Sequence, residues 1–141
     1  MTTPAGYDYF DVEADVGVHA WGPDRAAAFA EAALGTLALG VDPTEVEARE
    51  TRDVRAQGAT AEDLLVAWIT ECVFVHEIEG FAVHHVTVDV VGGDVVHGLL
   101  HGEEIDPSRH RLGTVVKGVT HHHVSVAQTP TGCEVRVIVD V

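Results

Sequence analysis

Three consecutive histidines, His121, His122 and His123, are the first residues of this sequence that could do chemistry. Histidine is the commonest protein ligand of transition metals, so the run raises the question of a zinc site. On a β-strand alternate side chains share a face, so His121 and His123 would lie about 7 Å apart, with His122 on the opposite face. A third ligand would have to come from a neighbouring segment, with His97 or His101 as candidates. The favoured interpretation places these histidines on a half-solvated sheet face, with a zinc site as the alternative.

Several carboxylates form a second set of potential ligands. Asp15 follows a turn and precedes an apolar strand, and Asp140 is the penultimate residue of a strand whose other face is apolar. Glu103 and Asp106 open the one long irregular segment, and Val141 adds a main-chain carboxylate after Asp140. Clustered carboxylate and carbonyl oxygens suit a hard cation such as Ca²⁺, Mg²⁺ or Mn²⁺. Spacing alone indicates such a site only weakly, because acidic residues are abundant along the whole chain.

The composition limits the classes of partner. The chain has 23 acidic and 8 basic residues, giving a formal net charge of −15, and Lys117 is its only lysine. Such a surface repels phosphate backbones, which argues against direct nucleic-acid binding and favours docking onto a basic partner. No G-x-S-x-G, Walker or H-E-x-x-H motif is present, so no familiar catalytic constellation is indicated.

The remaining bulk features predict a cytoplasmic protein of one domain, residues 1–141. No stretch of 18 consecutive apolar residues predicts a membrane span, and the first ten residues have neither the basic nor the apolar region of a secretory signal. Cys72 and Cys133 form no C-x-x-C pair and lie in apolar contexts, so we expect two buried, reduced thiols.

The periodicity of apolar residues predicts the elements that position these groups. A helix is expected over 23–39, ended by Gly40, and a second from Ala61 to about Glu79, opened by Thr60. Strands are expected at 7–12, 16–21, 46–57, 81–91, 94–102, 114–128 and 133–141, with 46–57 at a sheet edge. The order β-β-α-β-α-β-β-β-β predicts an α+β fold, with two helices packed on a largely antiparallel sheet.

Five stretches, in this order and at these separations, give the chain a resemblance to a known family. They are "ADVGVHAWG", "LLVAWITE", "GEEIDPSRH", "VVKGVT" followed by a histidine, and the terminal "VIVDV". Together they are similar to the archeases, small accessory proteins of the RtcB-type tRNA-splicing RNA ligase. The match runs nearly from end to end, and the family's α+β fold agrees with the elements expected above.

The resemblance assigns roles to particular residues. It implies that Asp15, Asp140 and Val141 bind a divalent cation, most commonly Ca²⁺, with Mg²⁺ or Mn²⁺ as alternatives. It also implies roles in activating the partner for one lysine and four loop residues, namely Lys117, Glu103, Asp106, Arg109 and His110. The lysine beside the histidine run, and not the run itself, is then the functional residue.

Two departures from the family pattern lie beside these residues. The chain has Val12 and Glu13 where the family has histidine and threonine, and Gly118 where alanine is usual. Glu13 could add an oxygen ligand or could only make its surroundings more negative. No role of the family's histidine can be carried over to this chain.

The resemblance implies an activator and not an enzyme. Archeases promote the guanylylation of the ligase and its multiple turnover, so tRNA would be a partner only through the ligase, and no membrane is involved. One alternative is a metal-dependent hydrolase acting alone through Asp15, Asp140 and Glu103. Another is a chaperone or specificity modulator of RNA-modifying enzymes such as tRNA methyltransferases.

Overall fold

The structure is a computed structural model that describes residues 4–141, and in this part of the chain two helices and seven strands follow the predicted order. Helix α1 spans Arg25–Leu37 and helix α2 spans Ala61–Ile78, with a 3₁₀ turn at Pro43–Glu45. The strands are β1 (Gly6–Val12), β2 (Asp15–Gly22), β3 (Glu50–Gln57), β4 (Phe81–Gly92), β5 (Val95–Glu104), β6 (Gly118–Thr129) and β7 (Gly132–Asp140). The α+β class and the element order are confirmed.

The strands divide between two antiparallel sheets. A four-stranded sheet has the order β1-β2-β7-β6, and a three-stranded sheet has the order β3-β5-β4. The long segment between β5 and β6 carries the chain from one sheet to the other, so the strands that precede and follow it do not pair with each other. Strand β3 lies at an edge of its sheet, as its polar sequence predicts.

Both helices contact strands of both sheets, and the main core forms where they meet. Helix α1 packs on β2, β7 and β4, and α2 packs on β6 and β3. The Trp68 indole lies fully buried and donates from Nε1 to the Phe29 carbonyl at 2.9 Å, which joins the two helices. The apolar face expected for α2 is buried throughout and comprises Leu64, Leu65, Trp68, Ile69, Cys72, Val73 and His76.

Helix α2 follows its expected bounds closely, whereas α1 is shorter than expected at both ends. The Asp24 carboxylate accepts from the Ala27 amide at 2.8 Å, and the Thr60 hydroxyl accepts from the Asp63 amide at 3.1 Å, which satisfies donors that a helix start leaves unpaired. Helix α1 begins at Arg25 and ends at Leu37, two residues inside the expected bounds 23–39 at each end. Within residues 4–141 neither helix has the length and apolarity needed to cross a bilayer.

Two strands are shorter than expected at their starts. Strand β3 begins at Glu50 and not at residue 46, and β6 begins at Gly118 and not at residue 114. The segment before β6 forms hydrogen bonds outside the sheets. The amides of Gly113 and Thr114 donate to the carbonyls of Gly40 and Leu39, each at 2.8 Å, so this segment is bound to the turn after α1 and not to a sheet.

The histidine run forms a bulge, which corrects the expected strand alternation. Thr120 pairs with Ile138 and Ser125 pairs with Arg136, so the four residues 121–124 lie opposite Val137 alone. His123 has a φ of 57°, and the imidazoles of His122 and His123 lie 3.9 Å apart and exposed. Extra residues in a strand disrupt its alternation, so the 7 Å spacing expected for two ligands on one face does not apply.

Candidate functional site

Asp15 and Asp140 lie at the ends of two neighbouring strands. Asp15 is the first residue of β2, Asp140 is the last residue of β7, and the pair next to them is Val16 with Val139. Continuing this antiparallel register places Asp15 directly opposite Asp140, a position in which Cβ atoms lie about 5 Å apart. The fold therefore brings together two acids that are distant in the sequence.

Both acids belong to the face of the four-stranded sheet that points away from the helices. Val16 and Val139 pack with the core, and successive residues of a strand alternate between its faces. The next residue on the outer face of β2 is Gly17, and the ring of Phe10 covers it so closely that a Cβ there would meet the ring at 2.2 Å. This contact packs β1 against β2 on the outer face of the sheet, two residues from Asp15.

The two acids have no cationic partner among the residues that the structure describes. Within residues 4–141, no salt bridge joins either Asp15 or Asp140 to a basic residue. Lys117 is bound to this strand end through its backbone, since its amide donates to the Asp140 carbonyl at 2.7 Å. Its side chain is exposed and lines a groove beside α2, on the other side of the sheet.

Val141 packs with the core valines of β7, as its odd-numbered position predicts. Val135, Val137 and Val139 are buried, and Val141 is a partly buried neighbour of the same cluster. This packing places the residue that follows Asp140 against the core.

The oxygen atoms at this strand end fit an open cation site and not a closed cage. Asp15 and Asp140 supply carboxylates, and Val141 could add a main-chain oxygen. Ca²⁺ takes roughly six to eight oxygen ligands, whereas Mg²⁺ keeps several waters and is often held by one or two carboxylates and a substrate phosphate. In the part of the chain that the structure describes, no group of three or more His, Cys, Asp or Glu side chains could hold a metal. Water or a bound molecule would have to supply the other ligands.

A second cluster, in the segment after β5, has a buried carboxylate at its centre. The Glu103 side chain is 5% exposed and accepts from Arg109 Nη2 at 2.6 Å, from His110 Nε2 at 3.0 Å and from the Glu47 amide at 2.9 Å. The guanidinium of Arg49 lies 3.6 Å from the same carboxylate. Both oxygens of Glu103 are therefore used in holding the segment together.

The ring of His110 is fully buried and has one definite tautomer. Its Nδ1 accepts from the Asp106 amide at 2.9 Å, so the proton of the neutral ring is on Nε2 and is donated to Glu103. The Asp106 carboxylate in turn accepts from the amide and the hydroxyl of Ser108, at 3.0 and 2.7 Å. The four loop residues named from the sequence thus form one hydrogen-bonded group, here called the loop unit. Its members are Glu103, Asp106, Arg109 and His110.

The charges of this unit stabilise one another. The hydrogen bond from Arg109, followed by those from the Glu47 amide and His110, lowers the pKa of Glu103 to about 2. Hydrogen bonds from Ser108 lower the pKa of Asp106, and the bond to Glu103 raises the pKa of Arg109. Every hydrogen bond to an ionised carboxylate favours the ionised form, so the unit keeps its charges at neutral pH.

The loop unit and the strand end lie at the same end of the molecule. The amide of Gly113 is bound beside the turn after α1, and the amide of Lys117 is bound to Asp140. Both groups lie beside the C-terminal end of α2, since the Ile105 amide donates to the Gly80 carbonyl at 2.8 Å and Ile78 lines a groove together with Lys117. One partner surface could therefore contact both.

Comparison with known proteins shows the family. Residues 7–141 match the model of the Archease protein family. The chain belongs to the archease family. A protein archease of Sulfurisphaera tokodaii is 32% identical over 122 residues, which are 85% of this chain and 87% of that protein. The resemblance inferred from the five sequence stretches is thus confirmed.

Two solved structures share the archease fold. The solution structure of a Methanobacterium thermoautotrophicum protein has a TM-score of 0.77 and 32% identity, and covers 96% of this chain and 99% of that one. The crystal structure of an archease from Thermotoga maritima, called a possible chaperone, has a TM-score of 0.64 and 15% identity, and covers 100% and 98%. At that lower identity the second structure supports the fold alone.

The departures from the archease pattern lie where the structure tolerates them. Glu13 is exposed in the two-residue turn between β1 and β2, where Ala14 has a φ of 66°. It adds negative charge beside Asp15. A Cβ at Gly118 would meet nothing within 4 Å, so the alanine usual in archeases would fit without repacking.

Two partners of Glu103 were not predicted from the sequence. The amide of Glu47 and the side chain of Arg49 both reach Glu103 from the segment before β3. Arg49 also bonds to the Glu47 carboxylate. No local pattern could have shown this contact, because it joins residues more than fifty positions apart in the chain.

The other histidines considered as zinc ligands are engaged elsewhere. His97 and His101 lie on β5 in the three-stranded sheet, whereas the histidine bulge belongs to β6 in the other sheet. His97 is hydrogen-bonded to Asp89 at 2.6 Å and to Asp53 at 3.0 Å, and these bonds raise its pKa, that to Asp89 most. His121 lies 3.4 Å from a carboxylate oxygen of Asp63.

Proposed function

We propose that this archease-family protein activates an RtcB-type RNA ligase by presenting a divalent cation at the paired ends of β2 and β7. The observation that supports the proposal is the pair of opposed acids, Asp15 and Asp140, for which residues 4–141 supply no salt-bridge partner. Two like charges at opposite positions repel each other, and a bound cation would remove that repulsion. Phosphate oxygens of a guanine nucleotide in the ligase could complete the ligand set of the cation.

The charge of the whole chain supports an approach to a basic cleft. A net charge of −15 repels RNA and is attracted by the cationic surface that an RNA-binding enzyme presents. Such steering falls with rising ionic strength, because salt screens charges that are more than about 10 Å apart. RNA would thus be reached through the ligase and not by this protein itself.

The loop unit has a positioning role in this proposal. Glu103 and His110 are 4% and 1% exposed, so they have almost no surface to offer a partner. Arg109 and Asp106 keep more than 40% of their side-chain surface exposed while bonded to that buried centre. Glu103 and His110 therefore fix the direction in which the exposed arginine and aspartate point. Lys117 is exposed, and its amide is bound to the carbonyl of Asp140. Its side chain would counter phosphate charge.

The test is guanylylation of the host's own ligase with and without this protein. Transfer of guanylate from GTP to the ligase, and the number of RNA joining events per ligase, should both rise with the wild-type protein. Asp15→Ala and Asp140→Ala should each lower the stimulation by at least about tenfold, as removal of one charged ligand implies, without loss of the fold. Asp11→Ala is the matched control, because Asp11 is an exposed acid of the neighbouring strand.

Two results would count against this function. Wild-type protein that leaves guanylylation unchanged would exclude it outright. Full stimulation by either variant would remove that residue from the site. Circular dichroism spectra and unfolding temperatures of the variants separate a lost site from a lost fold.

A second candidate function is that of a chaperone or specificity modulator for RNA-modifying enzymes. The archease from Thermotoga maritima is called a possible chaperone, and this chain shares its fold. Binding to a tRNA methyltransferase, with no effect on the ligase, would favour that function over the first.

A further inference from the structure

Helix α2 carries two large apolar side chains on its solvent side. Phe74 is 53% exposed and Ile78 is 69% exposed, and they lie one turn apart on the same helix face. Neither belongs to the face of α2 that packs in the core. Val115, in the segment before β6, is also 57% exposed. Single exposed apolar residues are ordinary, but neighbouring ones beside a concave surface are typical of an interaction site.

The concave surface is a groove of about 240 Å³ between the C-terminal half of α2 and the start of β6. Most of its wall is apolar. Its principal lining residues are Val73, Phe74, Ile78, Val116, Val119 and Lys117. A groove of this size has room for one or two apolar side chains and is too small for a drug-sized ligand.

We infer that this groove receives an apolar side chain that projects from a basic surface of the partner ligase. The inference rests on the proposed function for the identity of the partner, and on the groove itself for the mode of contact. An apolar anchor in a pocket beside a charged rim is the arrangement in which interface binding energy concentrates.

Charge complementarity selects a basic partner over a second copy of this chain. Glu77 lines the groove, and Glu71 is exposed on α2 three residues before Phe74. A second copy would bring another net charge of −15 and the same glutamates against this rim. Like charges brought together cost free energy, whereas a surface rich in arginine and lysine is attracted to the rim.

The groove and the proposed cation site lie beside the same strand end, on opposite faces of the four-stranded sheet. Lys117 and Gly118 line the groove, Gly118 pairs with Asp140 in the sheet, and the Lys117 amide donates to the Asp140 carbonyl. A protein that seats a side chain in the groove would therefore reach the two acids around the sheet edge formed by β6. The groove would supply affinity, and the cation at the strand end would supply the effect on guanylylation.

The experiment measures the affinity of the purified ligase for this protein and a doubly substituted variant, Phe74→Gln with Ile78→Gln. Glutamine keeps the helix and removes the apolar surface. Calorimetry at low and at moderate salt should show the dissociation constant raised by at least about tenfold, as expected for the loss of interface anchors. At saturating protein the guanylylation rate should approach that of the wild type, because the cation site is intact.

Val90→Gln is the matched control. Val90 is 48% exposed on β4, in the other sheet, so it carries comparable apolar surface away from the groove. Its substitution should change the dissociation constant less than about twofold. Glu77→Lys should weaken binding at low salt more than at high salt, since it reverses a rim charge.

The outcomes separate this inference from the proposed function. Suppose that the wild-type protein stimulates the ligase and that the wild type and the double variant bind it with equal affinity. The inference about the groove would then be wrong, and the proposed function would be unaffected. Failure of the wild-type protein to bind the ligase would overturn both. A wild-type dimer that the double variant abolishes would assign the groove to a second copy and overturn the inference.

Discussion

The strand end and the loop unit both contain charged residues at one end of the molecule. They differ in whether partners within the protein neutralise their carboxylates. In the loop unit the carboxylate of Glu103 is buried and accepts from Arg109, His110 and a backbone amide. At the strand end Asp15 and Asp140 are at least partly open to solvent, and no salt bridge within residues 4–141 neutralises them.

This difference separates a structural role from a binding role. A carboxylate whose partners are all within the protein has nothing left to offer a ligand, so it stabilises its surroundings. Two opposed carboxylates without partners destabilise the free protein slightly and gain from any cation that binds. Acidic residues thus stabilise the structure in the loop unit, whereas at the strand end they are available to bind a cation.

The largest expected effect on stability is that of Glu103→Ala. It leaves the buried Nε2–H of His110 and the Glu47 amide without their acceptor, and the Arg109 guanidinium with Asp106 alone. We expect the free energy of unfolding to fall by about 3 kcal/mol, the order found when a buried charged partner is removed. Urea denaturation at pH 7 measures it. Glu104→Ala, at the exposed neighbouring position, should change it by less than about 0.5 kcal/mol, and equal losses in both variants would contradict the central place of Glu103.

The acid stability of the protein should depend on the same carboxylate. The pKa of Glu103 is lowered from its ordinary value of 4.5 to about 2. A lowered folded-state pKa contributes stability that is complete above the unfolded pKa and is lost as the pH falls toward the folded one. The unfolding temperature of the wild type should therefore drop between about pH 4.5 and pH 2, and less steeply in Glu103→Gln. Parallel curves for the two proteins would show that this carboxylate is not coupled to folding.

The strand end should respond in the opposite direction. In the presence of a chelator, Asp140→Asn should raise the free energy of unfolding by about 0.5 kcal/mol, because it removes a like-charge pair. Added Ca²⁺, Mg²⁺ or Mn²⁺ should then stabilise the wild type and not the variant. Asp11→Asn should retain the full response to the cation. A wild-type protein whose unfolding is unaffected by all three ions has no cation site at this end.

The smallest effect is expected in the histidine bulge. Replacement of His121, His122 and His123 together by alanine should change the free energy of unfolding by less than about 0.5 kcal/mol and leave ligase stimulation within twofold, because these side chains are exposed. Lys117→Ala should impair stimulation more. If the triple variant fails and Lys117→Ala is active, the functional residue lies in the bulge.

The sequence by itself determined the element order, the buried faces and the family. Apolar residues recur at helical spacing in α2 and on alternate positions in β7, and burial of those faces is the dominant contribution to folding. Thr60 could be recognised as a helix start because capping involves residues only three positions apart. These features are local, so a single sequence shows them.

Only the tertiary structure decided how residues distant in the chain come together. The division of the strands between two sheets, the register that sets Asp15 opposite Asp140, and the Glu47–Glu103 contact all depend on pairings between distant segments. The bulge at residues 121–124 was also not predicted, because it is a feature of the pairing of β6 with β7 and leaves no periodic pattern in the sequence. Strand pairing and burial depend on what the rest of the chain places opposite each residue, and periodicity carries no information about that.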